Sequence, residues 1–241
     1  MAEITNRDVI AGWNTYSREA MEQHGDTGDF ARQHLLNPAL FALLSEVRGK
    51  QILDAGCGQG YLSRLLARKG AFVTGVEPAE GLYRYALERE QVEPLGITYV
   101  QADLSTLQGF RETFDAVVAN MVFMDIPNYE AAMHNCIIAL KQGGNFIFSI
   151  THPCFEESAT AWAGKGYVEV REYLQEFTRP STYGHWFHRP LSTYLNLVIR
   201  EGCTLQRIIE PQLAQALIAG DAARERNVHV PQFLIVHATR V

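Results

Sequence analysis

The chain reads as an α/β protein built on a doubly wound, mostly parallel sheet with helices on both faces. Three observations lead there. Strand-like and helix-like runs alternate from residue 51 to 151. Several of the strands, among them QILDA (51–55), FDAVVAN (114–120) and NFIFSIT (145–151), are almost wholly apolar, the sign of a parallel sheet covered on both sides. At the end of the first strand, ILDAGCGQG (52–60) places Gly56, Gly58 and Gly60 on alternate positions. Glycine there costs stability, and the usual gain is close approach of a ligand to main-chain N–H groups where a helix begins.

The elements follow in order. Residues 6–23 carry Val9, Ile10, Trp13, Tyr16 and Met21 as a rough helical stripe. GDTGDF (25–30) is loop chemistry, with Asp29 placed to cap a helix running towards Leu36, and Asn37-Pro38 starts another helix. After the first strand and its glycine loop comes the helix YLSRLLARKG, stopped by Gly70. AFVTGVE (71–77) is the second strand, 79–91 a helix, ITYVQAD (97–103) the third strand and 114–120 the fourth. A helix over 128–144 is expected to end at Gly143-Gly144, and 145–151 is the fifth strand. Regularity fails between His152 and Pro190, where Phe155, Trp162, Tyr167, Tyr173, Phe177, Tyr183, Trp186 and Phe187 accumulate. That stretch is too long and too apolar for a linker and reads as a cap over the sheet edge. A helix over 190–202, a strand over 204–210, a helix over 212–225 and a strand over 231–241 complete the chain.

Bulk composition narrows the function. Of 241 residues, 47% are hydrophobic and 20% charged, and the net charge is −6. No long basic run is present, which disfavours a duplex-binding surface. No apolar run approaches the roughly 18 residues of a membrane span, and the N-terminus lacks a signal-peptide layout. Cys57, Cys136, Cys154 and Cys203 show no C-x-x-C spacing. A soluble cytoplasmic protein with unpaired thiols is the expectation.

The glycine loop departs from the dinucleotide fingerprint, because Tyr61 stands where a third glycine is required. Together with Glu77 closing the second strand, QADL (101–104), FDAVVANMVFMDI (114–126) and LKQGGNFIFSI (140–150), the sequence resembles the class I S-adenosylmethionine-dependent methyltransferases. Five motifs in order span about residues 50–151. The resemblance implies a Rossmann-like, seven-stranded, mostly parallel sheet with a cap inserted after the fifth strand, the chain forming a single domain. Residues 1–48 would then be N-terminal helices over the cofactor site and 49–151 the cofactor-binding core, with 152–190 as substrate cap and 191–241 as the rest of the core. It also implies transfer of a methyl group from S-adenosyl-L-methionine to a small-molecule acceptor, leaving S-adenosyl-L-homocysteine.

Carried over position by position, the resemblance implies these cofactor contacts. Gly56, Cys57, Gly58 and Gly60 admit the methionine part and ribose, and Asp54 supports the loop. Glu77, followed by Pro78, accepts both ribose hydroxyls. Asp103 accepts from the adenine amino group, with Ala102 and Leu104 beside the ring. Asn120 and Met121 lie near the sulfonium, and Tyr16 closes over the cofactor. Tyr16 as a plain packing residue stays open.

For the acceptor side, the His152-Pro153 step after strand five and the His188-Arg189 pair resemble a subgroup of small-molecule methyltransferases. His152 and His188 are the candidate bases, and His152, His185, Arg189 and Tyr194 the candidate substrate contacts. Arg189 serves an acidic substrate group or a cap carboxylate such as Glu156 or Glu157. His185 and His188 lack a third ligand, so no metal is expected. Methyl transfer is an in-line displacement, so placing the nucleophile matters throughout, and a base is needed only for an acceptor protonated at working pH. Three other readings stay open: a tRNA or protein methyltransferase, which calls for a basic face; a nucleotide-binding oxidoreductase, against which Tyr61 argues; and a cofactor-binding regulatory subunit without turnover.

Overall fold

The computed structural model describes residues 4–155, 162 and 165–241. Seven strands form one sheet in the order β3-β2-β1-β4-β5-β9-β8. They are β1 Gln51–Ala55, β2 Phe72–Val76, β3 Thr98–Val100, β4 Phe114–Asn120, β5 Leu140–Thr151, β8 Cys203–Ile209 and β9 Phe233–Arg240. The first five run parallel, whereas β9 lies antiparallel between β5 and β8. Ile52, Leu53, Val117, Val118, Phe146, Ile147 and Phe148 have no exposed surface. Each such side chain contributes about 1.5–3 kcal/mol by leaving water, which is why the central strands read as unbroken apolar runs.

The order reverses between β1 and β4, and at such a switch point the loops leave a crevice at the carboxyl ends of the strands. Helices α4 (Tyr61–Arg68) and α5 (Glu80–Val92) follow β1 and β2, and α6 (Tyr129–Ala139) precedes β5. Gly60, in the left-handed region at φ 81°, turns the chain from the glycine loop into α4. A Cβ there would meet the Tyr99 hydroxyl at 2.5 Å, so this glycine serves the packing of α4 on β3.

Several elements depart from expectation. The helix over 6–23 is two helices, α1 (Asn6–Trp13) and α2 (Arg18–His24), because Ser17 is extended and caps the second through Ala20 N–H. Asp29 does cap, accepting from Arg32 N–H at 2.8 Å, but the turn it starts, Arg32–Leu36, is π-helical and runs into α3 (Asn37–Leu44). The helix expected to reach Gly143-Gly144 stops at Ala139. Leu140 already pairs with Phe114, and the glycines sit where the register shifts, next to a bulge. In place of a helix over 212–225 there is a short 3-10 turn at Gln215–Leu217 and a helix at Ala222–His229 capped by Asp221.

Within the cap, β6 (Phe177–Ser181) and β7 (Gly184–His188) form a hairpin. It packs on α1 and on the 3-10 turn Phe123–Asp125, and Trp186 reaches the main core. α1 and the hairpin tip thus pack together at the mouth of the crevice. The loop after α2 is anchored beneath by Arg64, 1% exposed, which reaches Asp26 at 3.3 Å and the Gln59 carbonyl at 2.8 Å. No described helix is long and apolar enough to cross a membrane.

Candidate functional site

The crevice holds a cavity of about 370 Å³. One end is made by the glycine loop and the ends of β2 and β3. The other is made by the turn after β4, Arg32 and the tip of the cap hairpin, and Trp13 and Tyr16 bridge the two by packing on Ala79 and Leu82, just past Glu77.

At the first end, the loop glycines have distinct reasons. Gly56 (φ 72°) passes so close to Val122 that a Cβ would lie 2.7 Å from its methyl. Gly58 (φ 55°) lines the cavity, and a Cβ there would meet nothing within 4 Å. No packing contact therefore demands a glycine at 58, unlike at 56. Glu77 is buried at the carboxyl end of β2, with Oε2 accepting from Gly58 N–H at 2.9 Å and Oε1 from Ala79 N–H at 2.8 Å. Burial pushes its pKa up to about 7, against those two N–H groups and with the help of the Asp54 charge. Each carboxylate oxygen keeps a lone pair for a further donor.

Asp54 accepts from the Ser63 hydroxyl at 2.6 Å rather than from loop N–H groups. Burial raises its pKa to about 6 while Ser63 opposes the rise. Burial lifts the Cys57 thiol well above its ordinary range, so this residue is a small filler and not a thiolate nucleophile. Asp103 accepts from Asn6 Nδ2 at 2.9 Å and from Ser105 N–H at 2.8 Å. Pro78, Leu104 and Met121 line the cavity, but Gly60 and Ala102 do not.

In the middle, Asn120 belongs to a buried relay. Its Nδ2 donates to the Tyr61 hydroxyl at 2.6 Å, and that hydroxyl donates to Asn37 Oδ1 at 3.2 Å. Asn120 Oδ1 accepts from the Ser149 hydroxyl at 2.6 Å, while Ser149 Oγ accepts from Met121 N–H at 3.0 Å. Four elements are thereby fixed around one amide. Tyr61, which the sequence presents only as the residue that spoils a dinucleotide fingerprint, is its centre.

At the second end, Tyr16 lines the cavity, 4.5 Å from the ring centroid of Tyr183 and 3.1 Å from His24 Nδ1. Trp13 stacks on Tyr183 at 5.6 Å, so α1 and the hairpin tip present a shared aromatic wall. Arg32 and Asp125 complete this end. Burial lifts the Asp125 carboxyl to about 7, opposed by Arg32 and Arg189. Its position, five residues past Asn120, is visible in the sequence, but nothing in the periodicity says that it faces the cavity.

The residues expected on the acceptor side do not line the cavity. His152 is buried, with Nε2 donating to Glu210 at 2.8 Å and Nδ1 accepting from Cys154 N–H at 3.2 Å. It straps the exit of β5 to the end of β8. His188 Nε2 donates to the Tyr173 carbonyl at 2.9 Å, and its ring stacks on Phe177 at 4.5 Å. His185 lies three residues away on the same strand, hence on the opposite face. Among the described residues no three His, Cys, Asp or Glu side chains gather as metal ligands do. Tyr194, 1% exposed, belongs to the core.

Arg189 is 4% exposed and donates to the carbonyls of Phe123 (3.1 Å), Ile126 (2.9 Å) and Pro127 (3.2 Å). It also lies 4.0 Å over the ring of Tyr129. Glu156 and Glu157, its expected partners, fall outside the described residues.

Comparison with known proteins accords with this site. Residues 53–148 match the model of a methyltransferase domain. The ubiquinone biosynthesis O-methyltransferase of Coxiella burnetii strain RSA 331 is 30% identical over 180 residues, covering 71% of this chain and 76% of that protein. The crystal structure of an S-adenosylmethionine-dependent methyltransferase from Mesorhizobium loti superposes with a TM-score of 0.73 at 30% identity, over 84% of this chain and 96% of that one. The magnesium protoporphyrin IX methyltransferase of Synechocystis PCC 6803, solved with S-adenosylmethionine bound, shares the fold at 16% identity and a TM-score of 0.64, over 100% of both chains. A switch-point cavity floored by Gly58 and Glu77, in a chain with these relatives, makes the protein a member of the class I S-adenosylmethionine-dependent methyltransferases.

Proposed function

We propose that the protein methylates a hydroxyl group on a small aromatic molecule. The observation that carries this is the cavity of about 370 Å³, with Gly58 and Glu77 in its lining and the aromatic wall of Trp13, Tyr16 and Tyr183 over it. Its volume lies in the range of small-molecule sites. The Coxiella burnetii relative is named as an O-methyltransferase, which supports oxygen as the acceptor atom.

S-Adenosylmethionine, when bound, supplies an electrophilic methyl carbon on a sulfonium. Glu77 would accept from the ribose hydroxyls through its remaining lone pairs, giving charge-assisted hydrogen bonds. Gly56, Cys57 and Gly58 would bring backbone to the methionine part, and Asp103 and Leu104 would flank the adenine. Asn120, held by its relay, would set the middle of the cavity where the two ends meet. The aromatic wall would exclude water and hold the acceptor ring edge-on or stacked.

The test has two stages. Calorimetric titration with S-adenosylhomocysteine and, beside it, NADH is run on wild type and Glu77→Ala. Micromolar binding of the former alone, weakened tenfold or more by the substitution, is expected. Radiolabelled methyl transfer is then followed to catechols and hydroxybenzoates, to small amines, to bulk tRNA and to unfolded protein. Label on the phenolic compounds is the expected result, and label only on amines, tRNA or protein overturns the reading.

A further inference from the structure

The geometry points to Asp125 as the base that takes the acceptor's proton, with Arg189 as the residue that positions it. This rests on the hydroxyl-acceptor reading above.

Asp125 ends the 3-10 turn Phe123–Asp125 that follows β4, and its side chain lines the cavity at the aromatic end. Among the described residues, no hydrogen-bond donor or ion-pair partner engages its carboxylate, although its own backbone N–H is held by the Val122 carbonyl at 3.0 Å. The other cavity carboxylates are committed: Asp54 to Ser63, Glu77 to Gly58 and Ala79, Asp103 to Asn6 and Ser105. A carboxylate with no partner in an aromatic-walled cavity is costly, and the turn that carries it is anchored. Arg189 grips the carbonyls of Phe123, Ile126 and Pro127, two residues before Asp125 and the two after it. The guanidinium reaches the turn from the cap side and ties the two together. The charged groups bearing on Asp125 are Arg32 from the π-helical turn and Arg189 behind it, both of which favour the ionised form. Tyr16, His24, Tyr61 and Tyr183 are the other titratable groups on the walls around this end of the cavity.

Burial nevertheless holds the carboxyl near pH 7, the range in which a base both is available and accepts a proton effectively. In the step, the acceptor O–H gives its proton to a carboxylate oxygen of Asp125. The oxygen's electron pair forms the new O–C bond as the C–S bond of the donor breaks, and that bond's electron pair stays on sulfur as a neutral thioether. Asp125, now a neutral acid, returns its proton to water after product leaves.

The experiment combines a direct titration with kinetics. Protein labelled with carboxyl-¹³C aspartate is titrated by NMR, and Asp125→Asn identifies the resonance. A midpoint near 7 is expected, and one below about 5 overturns the proposal. With a phenolic acceptor from the panel, kcat/KM of wild type should rise to a plateau with that same midpoint. Asp125→Asn should lower kcat by about 10²–10⁴-fold and abolish the limb, with S-adenosylhomocysteine affinity within twofold of wild type. Arg189→Met should move the midpoint upward and lower kcat without changing that affinity, and Arg189→Lys should recover part of both. Hydroxyl transfer that survives at a third of the wild-type rate in Asp125→Asn overturns the base and leaves the hydroxyl reading standing. Transfer only to amines, or to nothing on the panel while S-adenosylhomocysteine binds, sinks the hydroxyl reading and the base with it.

Discussion

Gly12 of α1 and Gly184 at the hairpin tip meet backbone to backbone. A Cβ on Gly12 would lie 2.9 Å from Gly184 Cα and 2.4 Å from the Tyr183 carbonyl oxygen. This contact sets the spacing of the two elements that carry Trp13, Tyr16 and Tyr183. Gly12→Ala must push the hairpin away, since the obstacle is main chain. We expect S-adenosylhomocysteine to bind at least tenfold more weakly by calorimetry, with a loss of a few degrees in melting temperature. Gly81→Ala, where the new methyl meets only the Met21 side chain at 3.8 Å, should leave binding unchanged.

Gly58→Ala tests the cradle. Its left-handed backbone costs about 1 kcal/mol for a side chain, and so does that of Gly49, φ 73°, in a remote turn with open space around it. Both alanine variants should lose similar stability in denaturant melts. Only the Gly58 variant should lose cofactor affinity, by tenfold or more, because only Gly58 lines the cavity.

The relay through Asn120 predicts a cost for a single oxygen atom. Tyr61→Phe leaves the ring in place but orphans Asn37 Oδ1 and Asn120 Nδ2. An unsatisfied buried group costs about 1–3 kcal/mol, so melting should fall by roughly 3–9 °C for a chain of this size. Asn120→Ala should cost a similar amount, and the double variant less than the sum, as coupled partners do.

Stability should fall as pH rises through neutrality. Asp54, Glu77 and Asp125 have folded-state pKa values of about 6, 7 and 7, above the roughly 4 of an unfolded carboxyl. Between pH 4 and 7 the folded chain therefore binds more protons than the unfolded one, and stability decreases with pH. The contribution is fully present below about pH 4 and lost through pH 7. Asp125→Asn, neutral at every pH, should melt higher than wild type at pH 8 and near it at pH 4, as differential scanning calorimetry would show.

The two halves of the site were unequally legible. Strands buried on both faces announce themselves as apolar runs, and a glycine in the left-handed region at a strand end is hard to replace, so Gly56, Gly58 and Glu77 can be picked out in the sequence as residues that line the cavity. The acceptor end depends on which way single polar side chains point. His152, His188 and Arg189 stand in the cap sequence as candidate substrate groups, yet each is consumed by a carboxylate or a carbonyl of its own chain. Asp125 sits inside an otherwise apolar motif, where a one-turn 3-10 segment decides its direction and leaves no periodic trace. Gly143-Gly144 misled for a related reason: a glycine pair stops a helix and also kinks a strand.

Asn6 carries a lesson about interchangeable parts. Its Nδ2 bonds Asp103 and Ser105 on the turn after β3, and its Oδ1 accepts from Asn128 N–H just before α6. One side chain from the first turn of the polypeptide thus knots together two loops of the sheet's working edge, a hundred residues downstream. The opening helices are consequently no detachable accessory. A chimera that borrowed its first 48 residues from a relative lacking this amide would inherit a loosened turn after β3, and a fragment starting at β1 would have both loops untied.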